Sequence, residues 1–262
     1  MSEGKIVAVA DGATGWLIFS NPGRLNAVSY EMWRAIPRRI AEFVGDPAIR
    51  VVVLRGEGDK AFVSGADISQ FEEVRSSEAG IADYDDATRL ANEAILACPK
   101  PTIAMIQGYC IGGGLGVALC CDLRFAAANS RFAIPAARLG LGYAYGGIKR
   151  LVDVVGPSFA KEIFYTARQF SADEAVLMGL VNRTYSAADL LGAVNDASTR
   201  IGRNAPLTIV AAKLAIDLAQ GDSRDKDISA VENAVARCFA SEDYREGRRA
   251  FSEKRAPTFK GV

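Results

Sequence analysis

Apolar residues along this chain come in short blocks of two kinds. Ile6–Ala10 and Trp16–Ser20 are two apolar segments separated by a glycine-containing turn, and Arg50–Leu54 is a run rich in β-branched residues. Such blocks predict strands, the first two paired and the third buried on both faces. Longer stretches repeat their apolar residues at helical spacing, as in the segment from the N-cap candidate Ser29 to about Val44, and in Ile81–Ala97. The first two thirds of the chain therefore predict alternating strands and helices.

The last part of the chain carries a different pattern. Ser171 and Glu174 form a capping-box signature before a short helix, and from about Asp189 onward only helical spacing is found. The pattern predicts an α/β protein with two domains, a core over residues 1–195 and a helical region over residues 196–262.

Two segments share a strand–loop–helix pattern rich in small residues. Thr102–Ile106 is a buried-strand pattern that runs through Gly112, Gly113 and Gly114 into an apolar helix. Ala61–Ile68 repeats the arrangement around Ser64 and Gly65. A strand that turns into a helix start leaves backbone N–H groups unpaired, which can bind an anion or a developing oxyanion. On the glycines alone, close packing of the helix on a sheet explains the pattern equally well.

Nucleotide-binding motifs do not fit these glycines. In Gly142–Lys149 the lysine follows Ile148, and no hydroxyl residue comes next, as a P-loop would require. Gly112–Gly116 does not match the Rossmann spacing, and it lies more than a hundred residues into the chain rather than after a first strand.

The amino-acid composition limits the kinds of catalytic site and partner that this chain can have. The 262 residues include no histidine, which excludes Ser-His-Asp catalysis, Cys-His catalysis and His-ligated zinc, and no metal site is expected. The 31 basic and 31 acidic residues balance, so neither a nucleic acid nor a membrane surface is an expected partner. Five cysteines without metal-ligand spacing indicate reduced thiols. With no apolar run near ~20 residues and no signal-peptide core, a cytoplasmic location is expected.

Six segments spread over nearly the whole sequence resemble the crotonase (enoyl-CoA hydratase/isomerase) superfamily. They are Asn21–Asn26, AFVSGADI at 61–68, KPTIAMIQGYCIGGGLG at 100–116, CDLRFAA at 121–127, YTARQFSADEAVLMGLVNR at 165–183, and AFSEKRAPTFKG at 250–261. The resemblance implies a spiral core of ββα units with a C-terminal helical trimerisation region. It also implies an acyl-CoA substrate, no cofactor apart from the coenzyme A of that substrate, and a homotrimer or dimer of trimers.

The resemblance also implies roles for single residues. Carried across, the oxyanion hole falls on the backbone N–H groups of Ala66 and Gly113. The segments expected along the coenzyme A moiety contain Arg24, Leu25, Asn26, Ser64, Gly65, Asp67 and Ile68. Read without the family, Arg24 is an ordinary solvated surface charge, and Asp67 is a helix cap.

Two departures from the family pattern bear on the reaction. At the two positions where family hydratases have glutamates, this sequence has Gly116 and Ala136, neither of which can transfer a proton. Tyr143 lies where the similar methylmalonyl-CoA decarboxylase branch has a tyrosine beside the acyl group. Decarboxylation needs no base to remove an α-proton, so a lyase is predicted, with Ala66, Gly113 and Tyr143 as catalytic residues.

Three alternatives to a lyase remain open at this point. Hydration or isomerisation could use a relocated acid or base, with Asp85 or Asp86 as candidates, although an exposed polar helix face explains those carboxylates as well. The chain could also bind coenzyme A thioesters without catalysis.

Overall fold

The computed structural model describes residues 4–67, 77–220 and 227–262. Within these ranges the strands are β1 (Lys5–Asp11), β2 (Thr14–Ser20), β3 (Val51–Gly56), β4 (Ala61–Val63), β5 (Thr102–Ile106), β6 (Tyr109–Ile111), β7 (Leu123–Ala127), β8 (Arg131–Ala133), β9 (Phe170–Ser171) and β10 (Arg183–Tyr185). The α-helices are α1 (Tyr30–Gly45), α2 (Glu78–Leu96), α3 (Gly113–Leu119), α4 (Ala136–Leu139), α5 (Tyr145–Thr166), α6 (Ala172–Leu177), α7 (Leu190–Gly202), α8 (Pro206–Gln220), α9 (Ser229–Ala240) and α10 (Glu242–Ser252).

The strands form two sheets. The larger sheet has the order β1-β2-β3-β5-β7-β10, and the smaller has the order β4-β6-β8-β9. In the larger sheet only β1 and β2 pair antiparallel, and the remaining neighbours are parallel. In the smaller sheet β4, β6 and β8 are parallel neighbours, while β9 pairs antiparallel with β8.

A repeated ββα unit explains why there are two sheets. In three successive pairs, β3 and β4, β5 and β6, and β7 and β8, the first strand joins the larger sheet and the second joins the smaller one. After β4 and after β6 a helix precedes the next strand of the larger sheet, as α3 does between β6 and β7. The α/β class and the ββα repeat expected from the sequence are therefore confirmed.

Local sequence accounts for the first helix. The Ser29 side chain accepts a hydrogen bond from the Met32 backbone N–H at 3.3 Å, and this N-cap starts α1. Its apolar stripe is at most 5% exposed, with Trp33 at 1% and Ile36 at 0%, and it packs into the main core with residues of both sheets. Since only the N-cap Ser29 separates α1 from Val28, the packing of α1 in the core also holds Val28 in place.

From Leu190 onward every described element is a helix, as the sequence predicted. In α5 the backbone leaves helical geometry at Gly156 (φ 75°), before Pro157, so two helical pieces meet there. The Ser171–Glu174 capping box is present. Helix α7 crosses the predicted domain boundary between residues 195 and 196, and its Leu190 and Val194 pack against the larger sheet. The division into two domains stays a prediction.

The C-terminal helices present apolar side chains on their surface. Phe239 is 63% exposed and Phe251 is 87% exposed, beside a groove of about 720 Å³. In the part of the chain that the structure describes, no helix has both the length and the apolar character needed to cross a membrane.

Candidate active site

Two strand ends lie side by side at one edge of the smaller sheet. Strands β4 and β6 are parallel neighbours, with Ala61 opposite Tyr109 and Val63 opposite Cys110. Each strand leaves the sheet at its carboxyl end into one of the two glycine turns. Because parallel neighbours end at the same edge, segments 47 residues apart in the sequence are brought together there.

The two turns place Ala66 beside Gly113. A Cβ atom built on Gly113 would lie 3.8 Å from the Ala66 backbone nitrogen. Ala66 forms a parallel β-bridge with Val28. The two hydrogen bonds of this bridge run from the Val28 N–H to the Gly65 carbonyl and from the Asp67 N–H to the Val28 carbonyl, both at 2.9 Å. The bridge does not use the Ala66 N–H, which points to the side of the backbone opposite Val28. Gly113 is the first residue of α3, where helix N–H groups have no intrahelical acceptor. The site thus has two N–H donors from neighbouring strand ends.

Gly112, Gly113 and Gly114 have different structural roles. Gly112 has φ +55° and ψ −118°, a conformation that L side chains rarely adopt, and it turns the chain from β6 into α3. A Cβ on Gly114 would lie 2.1 Å from the Val63 carbonyl oxygen, so α3 packs directly on β4. Close packing therefore accounts for Gly114, and the turn accounts for Gly112. Gly113 lies between them, with its N–H at the helix start.

Tyr143 faces the same turn from the loop between α4 and α5. Its hydroxyl lies 3.9 Å from the Cβ position of Gly112. The ring packs edge-on against Phe164, with centroids 5.1 Å apart and planes at 82°. Burial raises the pKa of the Tyr143 phenol above its usual value near 10, so this group is protonated at neutral pH.

The two segments predicted to lie along the coenzyme A moiety are joined to each other by hydrogen bonds. The Arg24 guanidinium donates to both carboxylate oxygens of Asp67, at 2.7 and 2.9 Å. The Asp67 side chain is only 8% exposed, whereas the Arg24 side chain is 41% exposed. The Ser64 N–H donates to the Leu25 carbonyl at 3.2 Å. Arg24 is therefore more than a solvated surface charge, because it ties the loop before Val28 to the turn after β4.

Asn26 and Leu25 differ sharply in exposure. Asn26 is 1% exposed, and its amide donates to the carbonyls of Glu57 and Ala61 at 2.9 and 2.8 Å. Its side chain therefore holds the loop in place. Leu25 is 37% exposed, and both residues have positive φ. Gly65 (φ +122°) continues the turn, and Ile68 lies outside the described residues.

The acidic residues Asp85 and Asp86 lie on the exposed face of α2. Asp85 and Asp86 are exposed, and Asp86 accepts a hydrogen bond from Arg89 at 3.2 Å. Arg89 also donates to Glu93 at 2.8 Å. These charges form an exposed polar helix face, and the buried face of α2 carries Tyr84 instead.

Comparison with known proteins identifies the family of the chain. The sequence model of the enoyl-CoA hydratase/isomerase family matches residues 13–262. The chain belongs to the enoyl-CoA hydratase/isomerase family. It is 35% identical to crotonyl-CoA hydratase of Syntrophomonas wolfei over 99% of both chains, and 33% identical to carnitinyl-CoA dehydratase of Salmonella typhi over 91% of this chain and 92% of that one. A crystal structure of an enoyl-CoA hydratase/carnithine racemase from Magnetospirillum magneticum, 36% identical, superposes with a TM-score of 0.93, covering 100% of this chain and 97% of the other.

Two further positions in this enoyl-CoA hydratase/isomerase family member adjoin the turns. Around the Cβ position of Gly116, one helical turn after Gly113, no described atom lies within 4 Å. Ala136 begins α4 after β8, the parallel neighbour of β6, and is 3% exposed. Neither residue carries a proton-transfer group.

Sequence reasoning missed two aromatic residues beside the donors. The Trp33 ring lies 3.5 Å from the Cβ position of Gly113, and Tyr84 is hydrogen-bonded to Trp33. In the sequence both residues fall on apolar helix stripes, which are indistinguishable from ordinary core positions.

Proposed function

We propose that the protein is an acyl-CoA lyase that stabilises a thioester enolate with the backbone N–H groups of Ala66 and Gly113. The leading reaction is decarboxylation of a malonyl-type coenzyme A thioester. The observation that carries the proposal is the placement of two N–H donors and a protonated phenol around one turn, with Gly116 and Ala136 next to it. This set can stabilise an anion, but Gly116 and Ala136 cannot remove a proton.

Decarboxylation suits these groups chemically. The bond between the α-carbon and the carboxylate carbon breaks, and CO₂ leaves. The bonding electron pair passes to the α-carbon and is delocalised onto the thioester oxygen. Two aligned N–H donors stabilise that oxyanion, and loss of one such donor typically lowers a rate by ~10²–10³. A proton taken from solvent water then adds to the α-carbon and leaves hydroxide, which takes up CO₂ or a buffer proton, and the product is an acyl-CoA shorter by one carbon.

Tyr143 is proposed to orient the substrate carboxylate. Its phenol donates one hydrogen bond, and the raised pKa keeps that proton in place at neutral pH. Packing against Phe164 restricts the ring. A carboxylate held near this apolar surface loses its charge as CO₂ forms, so a weakly solvating site favours the reaction.

Hydration is the second candidate, because the relatives include a crotonyl-CoA hydratase and a carnitinyl-CoA dehydratase. Water addition requires positioned acid–base groups, each typically worth ~10²–10⁴ in rate. Glutamates of family hydratases correspond here to Gly116 and Ala136, and Asp86 is paired with Arg89 on an exposed face. A hydratase would therefore have to use a group other than these, and we favour the lyase.

The test is a panel of acyl-CoA thioesters followed by mass spectrometry. Malonyl-CoA, methylmalonyl-CoA and crotonyl-CoA are incubated with wild type, Tyr143→Phe and Asp86→Asn. We expect CO₂ loss from a malonyl-type thioester that falls at least about tenfold in Tyr143→Phe, on the scale of a lost positioning hydrogen bond.

Two outcomes would refute the lyase, and a third would refute the role of Tyr143 within it. The first is crotonyl-CoA hydration that survives Tyr143→Phe but is lost in Asp86→Asn, which would establish a hydratase with a relocated base. The second is binding of the thioesters with no turnover anywhere in the panel, which would establish a non-catalytic binder. The third is decarboxylation unaffected by Tyr143→Phe, which would remove the role of the phenol.

A further inference from the structure

Trp33 borders the pair of N–H donors. Its Cζ2 and Cη2 atoms lie 3.5 and 3.8 Å from the Cβ position of Gly113, and that position is itself 3.8 Å from the Ala66 nitrogen. The side chain is 1% exposed. The edge of the indole therefore lies against Gly113, where it restricts how far Gly113 can move.

The backbone of Trp33 is tied to the Ala66 side of the site. Trp33 lies in the first turn of α1, whose N-cap is Ser29, and its N–H donates to the Ser29 carbonyl at 3.1 Å. The residue before the cap, Val28, bridges to Ala66. The Trp33 main chain is thus connected through Val28 to Ala66, which carries one N–H donor. The Trp33 ring lies against Gly113, which carries the other.

Tyr84 fixes the orientation of that ring. The Trp33 Nε1–H donates to the Tyr84 hydroxyl at 3.0 Å, and Tyr84 is 3% exposed. A buried indole N–H needs an acceptor, so this hydrogen bond selects one orientation of the ring. Tyr84 in turn stacks on Tyr30, with ring centroids 6.1 Å apart and planes at 22°.

We propose that Tyr84 is a positioning residue, which holds the Trp33 indole against Gly113 and thereby sets the separation of the Gly113 and Ala66 N–H groups. The inference rests on the oxyanion hole of the proposed function, but it does not depend on which bond at the α-carbon breaks. Donor geometry matters because displacement of a catalytic group by ~1 Å can cost ~10²-fold in rate.

The first test is Tyr84→Phe, which keeps the ring and removes the acceptor of the Trp33 N–H. With the acyl-CoA that wild type turns over, we expect kcat to fall roughly tenfold while KM changes less than about twofold, because donors aimed at the transition state are misplaced. The matched control is Tyr165→Phe, which removes a hydroxyl from a side chain that is 76% exposed and should leave both constants unchanged. A Tyr84→Phe enzyme with lowered stability but wild-type kcat would overturn the proposal.

The second test needs neither turnover nor a folded Tyr84 variant. The chain has two tryptophans, so Trp16→Phe leaves Trp33 as the only indole fluorophore. Butyryl-CoA places a carbonyl oxygen at the donors, whereas the matching butyl-CoA thioether has none. We expect the Trp33 emission to shift with the thioester and to stay near its unliganded position with the thioether. Identical responses to the two compounds would overturn the coupling between Trp33 and the oxyanion hole, whatever reaction the enzyme catalyses.

Discussion

Gly114→Ala and Gly116→Ala are the same substitution on one helix, with opposite expected effects. A Cβ on Gly114 would lie 2.1 Å from the Val63 carbonyl oxygen and 2.8 Å from the Val63 carbonyl carbon. Ordinary contact begins at 3.4 Å, so α3 and β4 must separate by more than about 1 Å. At Gly116 no described atom lies within 4 Å of the added methyl group.

The expected magnitudes follow from these contacts. Alanine favours a helix over glycine by ~1 kcal/mol, and this is the expected gain at Gly116. At Gly114 the same gain is outweighed by backbone overpacking, which costs ~1–3 kcal/mol or more. A separation of ~1 Å between α3 and β4 also moves the Gly113 N–H away from Ala66, and a displacement of that size lowers kcat by up to ~10²-fold.

Urea denaturation at fixed protein concentration measures both variants, and steady-state kinetics with the turned-over acyl-CoA measures Gly114→Ala. We expect the unfolding midpoint to rise for Gly116→Ala and to fall for Gly114→Ala, with kcat lowered in the latter. The reasoning would be wrong if Gly114→Ala were as stable and as active as wild type, because the Val63 carbonyl would then leave room for a side chain.

Three other variants or conditions test separate parts of the site. Gly113→Pro removes one N–H at a helix position that tolerates proline, so kcat should fall ~10²–10³-fold while circular dichroism stays unchanged; wild-type turnover would exclude this donor. Arg24→Met removes the guanidinium partner of Asp67, and urea denaturation should show a loss of about 1–3 kcal/mol, less than for a fully buried pair because Arg24 is 41% exposed. Adding Asp67→Asn should recover part of that loss, and no recovery would argue against direct pairing. Because burial raises the pKa of Tyr143 above its usual value, its proton is lost only in strongly alkaline solution; the ratio of wild-type to Tyr143→Phe kcat should stay constant from about pH 7 to 9, and a fall within that range would contradict the protonated phenol.

The elements were predictable where the signal is local. The β-branched run of β3 and the Ser29 cap of α1 depend on neighbouring residues, and both are present. The glycine turns after β4 and β6 could also be recognised, the second as a strand-to-helix transition. That they lie side by side follows from the parallel pairing of β4 and β6, which a single sequence indicates only through resemblance to a family.

The rest of the site could not be predicted because its residues carry no distinctive pattern. Arg24 and Asp67 are separated by 43 positions, so nothing near Arg24 in the sequence distinguishes it from a solvated charge. Trp33 and Tyr84 are spaced like core residues, and only the fold places one against Gly113 and the other against its indole. The different roles of Gly112 and Gly114 likewise depend on a positive φ and on the Val63 carbonyl.

Polarisation of a bound thioester carbonyl tests the central claim most directly. Butyryl-CoA labelled with ¹³C at the carbonyl carbon lacks a carboxylate to lose, so its complex can be observed without decarboxylation. If the Gly113 and Ala66 N–H groups donate to the carbonyl oxygen, the ¹³C resonance should move downfield on binding, and the shift should shrink in Gly113→Pro. A bound resonance at the position of the free thioester, or a shift unchanged in Gly113→Pro, would contradict the oxyanion hole.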